Sequence, residues 1–165
     1  MAKTPSSSSR PAVGDREEAA TGPAVADRET SALSAQPLDM VSLLAGAHHP
    51  GAGAVVLFSG EVRDNNRGRA VAYLEYEAHG PLAEKVIAEV LLAARDKYSL
   101  RAAVARHRTG RVSVGETAVV VVTAAAHRGE AYAANQYIID RIKREAPIWK
   151  REYFTDGANE WGSNL

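Results

Sequence analysis

A chain of 165 residues that is 45% hydrophobic is long enough for one packed domain and too short for two comfortable ones. Its 20 basic and 20 acidic side chains cancel, so no global field favours nucleic acid or an anionic membrane, and affinity for an anion has to come from local clustering. The lack of cysteine excludes disulfides, thiolate nucleophiles and Cys-ligated metal, while the lack of any long apolar run or secretory signal points to a cytoplasmic protein.

Residues 1–30 carry the serine run Ser6 to Ser9, Pro5, Pro11 and Pro23, and charges of both signs without a period. Such a composition cannot bury enough apolar surface to offset its ordering entropy. It is expected to be a disordered tail before a domain spanning 31–165. Pro37 through Leu44 reads as a short helix with proline near its first turn. Ala54-Val55-Val56-Leu57-Phe58, bounded by glycines, reads as a buried strand. Asp64 to Gly68 is a turn by composition. Val71 to Ala78 alternates as a returning strand, which predicts a hairpin with an arginine-bearing tip.

Pro81 to Tyr98 places Leu82, Val86, Val90, Leu91 and Ala94 at helical spacing behind a proline start. Ala102 to His107 and Val112 to Val114 read as short strands separated by a turn at Gly110. Thr117 to Ala126, with four consecutive valines, reads as another buried strand. Gly129 to Ala146 forms a second long helix with Ala131, Ala134, Ile138 and Ile142 inside. Ile148 to Phe154 is the last strand and 157–165 a tail containing Trp161. No internal repeat is visible. This order predicts an α+β fold: a single domain with a mixed or antiparallel sheet packed by two long helices.

The richest stretch is Lys143 to Glu152, Lys-Arg-Glu-Ala-Pro-Ile-Trp-Lys-Arg-Glu. Pro147 cannot continue a helix and biases Ala146 to extended angles, so Lys143 stands where the helix ends and Lys150 in the strand beyond. Such a corner, with Ile148 and Trp149 expected to anchor it in a core, can aim two amines at one spot. That suits a site that holds an anion or uses a tuned amine. Arg63 and the pair His127-Arg128 also fall at element ends, where a scaffold presents side chains rigidly. Together they suggest an anion pocket, with the arginines able to grip oxygens bidentately. His48-His49 has no acidic partner at ligand spacing, so no metal is expected there. His79 and His107 read as structural residues at strand ends, and Ser59 has no triad around it. Gly51-Ala52-Gly53 precedes its strand and so lacks dinucleotide-binding geometry. Both tryptophans read as core anchors.

Phe58-Ser59-Gly60-Glu61-Val62-Arg63 with Asn66 and Gly68, then Leu74-Glu75-Tyr76-Glu77-Ala78, resembles the first signature of the molybdopterin synthase large, catalytic subunit family. His107-Arg108-Thr109-Gly110 with Val114-Gly115-Glu116, Ala126-His127-Arg128 with Glu130-Ala131, and Lys143 to Glu152 followed by Asp156-Gly157 and Trp161 extend the resemblance over about residues 31–162. His79-Gly80-Pro81-Leu82 departs from it, where many relatives carry an aromatic residue and a methionine.

The resemblance implies an α/β-hammerhead-like fold and a sulfurtransferase. The enzyme would install two dithiolene sulfurs in cyclic pyranopterin monophosphate (precursor Z). The sulfur would come from a thiocarboxylate on the C-terminal Gly-Gly of a small ubiquitin-like partner subunit. It further implies a homodimer at the centre of a heterotetramer and no cofactor of its own. Carried over by position, Lys143 matches the lysine beside the thiocarboxylate and Lys150 the second catalytic lysine. Arg63, His127 and Arg128 match the phosphate-binding residues, in part from the neighbouring copy. Glu61, Val62, Arg151 and Glu152 match residues lining the site. The competing reading is a non-catalytic module that binds a phosphorylated small molecule or a partner's C-terminal tail.

Overall fold

The computed structural model describes residues 31–162; the tail expected over 1–30 lies outside them. Twelve elements follow in order among these residues: β1 (Leu33–Ser34), α1 (Met40–Ala45), β2 (Ala54–Glu61), β3 (Asn65–Asn66), β4 (Arg69–Ala78), α2 (Gly80–Tyr98), β5 (Ala102–Arg108), β6 (Gly110–Ser113), β7 (Thr117–Ala125), α3 (Arg128–Glu145), β8 (Ile148–Phe154) and β9 (Asn159–Trp161). The α+β class and both long helices agree with the sequence reading. Three short strands, β1, β3 and β9, had no periodic signal of their own.

The helix boundaries follow local chemistry. Asp39 caps α1 by accepting from the Ser42 amide at 3.1 Å, so Pro37 lies ahead of the helix instead of in its first turn. His79 caps α2, its Nδ1 accepting from the Leu82 amide at 3.4 Å, and Ser99 ends it in a left-handed conformation at φ 51°. At the end of α3, Ala146 sits at φ −72°, ψ 131°, the extended geometry that a following proline demands.

The strands divide into two sheets, ordered β1-β5-β7-β2 and β3-β4-β8-β9, with β6 pairing β4 further along that strand than β3 does. The expected hairpin between the 54–58 and 71–78 segments does not form. β2 runs antiparallel to β7, from Ala54 opposite Ala125 to Glu61 opposite Thr117, and β4 runs antiparallel to β8. β7 is a valine run covered on both faces, with Val119 and Val121 in the main core and Val120 and Val122 packed towards α1. A continuously apolar β2 suits that neighbour, whereas the alternating β4 suits a sheet with one wetter face. The hairpin that does form is β3–β4, closed by Arg67 (φ 52°) and Gly68 (φ 82°). Positive φ at both central positions makes a type I′ turn, whose twist matches the flanking strands.

Helices α2 and α3 pack against each other, with Tyr98 meeting Tyr137 edge-on at 5.6 Å, and Ala83, Ala94, Ala131 and Ala134 on them are fully buried. Asn135 then rivets α3 to the first sheet. Its Nδ2 donates to the Val56 and Val121 carbonyls at 3.1 Å each.

Candidate active site

The site is built where the two sheets face each other at the C-terminal end of α3. A cavity of about 160 Å³ opens there. Helix α3 contributes Ile139, Ile142 and Lys143; β8 contributes Lys150 and Glu152; β4 contributes Val71, Leu74 and Tyr76. A register shift between Val71 and Tyr73 changes the strand's parity, so that Val71 shares a face with Leu74 and Tyr76. Asn65 and Asn66 stand on the hairpin, His107 comes from β5, and Glu61 and Arg63 leave the end of β2. The two lysines therefore share one cavity, as the Pro147 corner suggested.

The lysines differ in their surroundings. Lys150 Nζ lies 3.1 Å from Glu152 Oε1, and the Glu152 side chain is only 3% exposed. Asn66 Nδ2 donates to the other carboxylate oxygen at 2.6 Å. Burial opposes the charge on Glu152, but the Asn66 and Lys150 hydrogen bonds and the Lys150 and Arg67 charges outweigh it, holding the carboxyl below its ordinary range. Glu152 thus positions Lys150 and is already satisfied. Lys143 is exposed and also lines a second, more open groove of about 600 Å³ between β2 and α3, bordered by Val56, Phe58, Tyr132 and Asn135. It stands at the junction of cavity and groove.

His107 is 2% exposed, and its Nδ1 lies 2.7 Å from the Arg108 carbonyl oxygen. A carbonyl can only accept, so Nδ1 carries the proton. Burial pushes its pKa down to about 4; the carbonyl bond opposes this shift, and the Lys143 charge adds to it. Tyr76 meets this imidazole edge-on, with centroids 5.0 Å apart. Burial, with the charge of Glu152, pushes the Tyr76 hydroxyl up to about 12, so it stays protonated.

The other expected site residues are placed differently. Val62 is 3% exposed and held by main-chain bonds to Glu116 and Gly115; it fixes the start of the Arg63 segment and is not part of the wall. Arg151 lies outside the cavity wall, because strand neighbours point to opposite faces. Its guanidinium stacks 4.3 Å from the Trp161 ring. His127 and Arg128 sit at the N-terminal end of α3, both exposed. Fifteen residues of helix separate Arg128 from Lys143, about 22 Å at 1.5 Å per residue. Trp149 and Trp161 are 42% and 50% exposed, so Ile148 alone, at 1%, anchors the corner. Asn65, Asn66 and His107 join the wall without having been expected there: by composition the asparagines read as turn residues and His107 as structural, and the signatures that include Asn66 and His107 assign them no role. Among the described residues no three His, Asp or Glu side chains gather as a metal site, and no helix is long and apolar enough to cross a membrane.

The fold and site together define a small α+β protein with a two-lysine cleft that runs into an open groove. Residues 33–145 match the family model described as MoaE protein, and the chain belongs to that family. Lys143 falls within the match and Lys150 just beyond it. The chain is 41% identical over 132 residues to the molybdopterin synthase catalytic subunit of Aspergillus niger, covering 80% of this chain and 73% of that one. It is 42% identical over 130 residues to molybdopterin synthase catalytic subunit 1 of Mycobacterium tuberculosis, covering 78% and 87%. The crystal structure of molybdopterin synthase from Staphylococcus aureus superposes with a TM-score of 0.76 at 34% identity, over 80% of this chain and 96% of that one.

Proposed function

We propose that this chain is the catalytic subunit of a molybdopterin synthase, a sulfurtransferase of molybdenum cofactor biosynthesis. It moves sulfur from the thiocarboxylate of a small Gly-Gly-ending carrier subunit to precursor Z. The observation that carries this reading is the shared cavity of Lys143 and Lys150, with Lys143 also on the groove. An extended carrier tail fits the open groove and the pterin the cavity, so the reacting groups meet beside Lys143. An ammonium there stabilises the thiocarboxylate and the oxyanion formed on attack, and Lys150, aimed by Glu152, serves as general acid.

Arg63 on the cavity rim takes the substrate phosphate. His127 and Arg128, about 22 Å along α3 from Lys143, reach such a phosphate only from a second copy of the chain. That separation favours a central homodimer, in which the neighbouring copy brings His127 and Arg128 to the phosphate; a carrier subunit at each end and a cytoplasmic location complete the proposal. The test is reconstitution: purified chain, thiocarboxylated carrier and precursor Z should yield molybdopterin, and Lys143→Ala and Lys150→Ala should each abolish it. An inactive wild-type chain with a competent carrier would overturn the proposal.

A further inference from the structure

His107 stands in the cavity wall with the two lysines, yet neither lysine chemistry nor phosphate binding uses it. Its Nδ1 is committed to the Arg108 carbonyl, which leaves Nε2 with a lone pair and no hydrogen bond from any described residue. A histidine needed only for structure would be complete with the carbonyl bond, and an asparagine could make the same bond. An imidazole adds a second, accepting nitrogen on the opposite edge of the ring.

We propose that His107 is a substrate-contacting residue whose Nε2 accepts a hydrogen bond from an N–H or O–H group of the heterocycle bound between Lys143 and Lys150. The assignment rests on the sulfurtransferase reading above and adds a specificity element to it. Lys143, Lys150 and Arg63 recognise negative charge, and none of them can accept a hydrogen bond. Of the two carboxylates in the wall, Glu152 is already held by Asn66 and Lys150, and Glu61 would set a negative charge against the ligand. A buried neutral imidazole accepts without bringing a negative charge beside an anionic substrate. Burial, which holds this ring well below the usual histidine pKa, keeps the lone pair available around neutral pH. A ligand lacking a donor at that point leaves a desolvated acceptor unpaired, which a site of this kind rejects strongly.

Two substitutions separate the two edges of the ring. Asparagine's short amide mimics Nδ1, so His107→Asn keeps the bond to the Arg108 carbonyl and removes the acceptor from the cavity. Glutamine's longer amide puts an oxygen near the Nε2 position. With wild-type enzyme active in the reconstituted assay, His107→Asn should lower kcat/KM for precursor Z by about tenfold or more, mainly through KM, and His107→Gln should recover most of the loss. Full activity in His107→Asn, with the loss confined to His107→Gln, would mean that only the carbonyl bond matters and would overturn the proposal. A second readout does not depend on the variants folding. In 15N-labelled wild-type protein the His107 Nε2 resonance should move on titration with precursor Z while the Nδ1 proton stays in place; an unmoved Nε2 at saturation refutes the contact. Inactivity of the wild-type protein with a competent carrier would instead count against the sulfurtransferase reading, while the resonance would still report on the contact.

Discussion

Gly162 lies directly against the stem of Lys150: a β-carbon at this glycine would stand 2.6 Å from Lys150 Cε and 3.1 Å from Cγ. The Gly162 amide also donates to the Lys150 carbonyl at 2.9 Å. The chain beyond β8 thus folds back and leaves a slot for the lysine. Because the obstruction is a flexible side chain, Gly162→Ala should cost only moderate stability and should displace the amine. We predict molybdopterin formation reduced by about ten- to a hundredfold, the size of effect an ångström of misplacement produces, with a fall in melting temperature of no more than about 6 °C, since the amine also leaves Glu152. Reconstituted assay and calorimetry on the same preparation check both halves; unchanged turnover would mean that Lys150 need not occupy this slot.

Glu152→Gln is predicted to disturb the same amine by another route. The single amide oxygen of glutamine can serve Asn66 or Lys150, and serving one turns an N–H towards the other donor. The expected cost is about 2 kcal/mol of stability, with a further loss of turnover because Lys150 is no longer aimed. Urea unfolding together with single-turnover rates would separate these contributions.

Asn135 is 5% exposed and holds α3 to carbonyls of both β2 and β7. Asn135→Ala leaves those buried acceptors short of a partner and opens a gap beneath the helix that carries Lys143. We predict a loss of about 2 kcal/mol, seen as a fall in melting temperature of about 6 °C for a chain of this size.

Acid should weaken the fold through His107 before it touches the carboxylates. This imidazole titrates near 6.5 in the unfolded chain and near about 4 in the folded one. Above pH 6.5 neither state binds the proton. Between 6.5 and 4 only the unfolded chain does, so stability falls as pH drops through that window, by roughly 3 kcal/mol in all. Unfolding free energies measured at pH 8, 6 and 5 should show this slope in the wild type and a flatter one in His107→Gln. Equal slopes would rule His107 out as the source.

Much of the site was legible before any fold was known. Pro147 dictated the end of α3, and its effect on Ala146 appears in the observed dihedrals. Arg151 could have been set aside on the same evidence that selected Lys150, since period-two alternation sends the two side chains to opposite faces. The misplacement of Trp149 has the same origin: it follows Ile148 in a strand, so only one of the pair can face the core. His107 gave no such signal, because a histidine ending a strand reads alike whether its ring meets solvent, core or cavity.

Local periodicity, proline and glycine placement and the two-lysine corner were determined by the sequence alone, because each depends on residues within a few positions of one another. Which strand lies beside which was decided only in three dimensions. A strand's alternation is the same for any partner, so nothing local prevented β2 from pairing with β4. The choice of β7 came from burying two apolar runs against each other under α3. That pairing, far apart along the chain, closes the cavity around Lys143, Lys150 and His107.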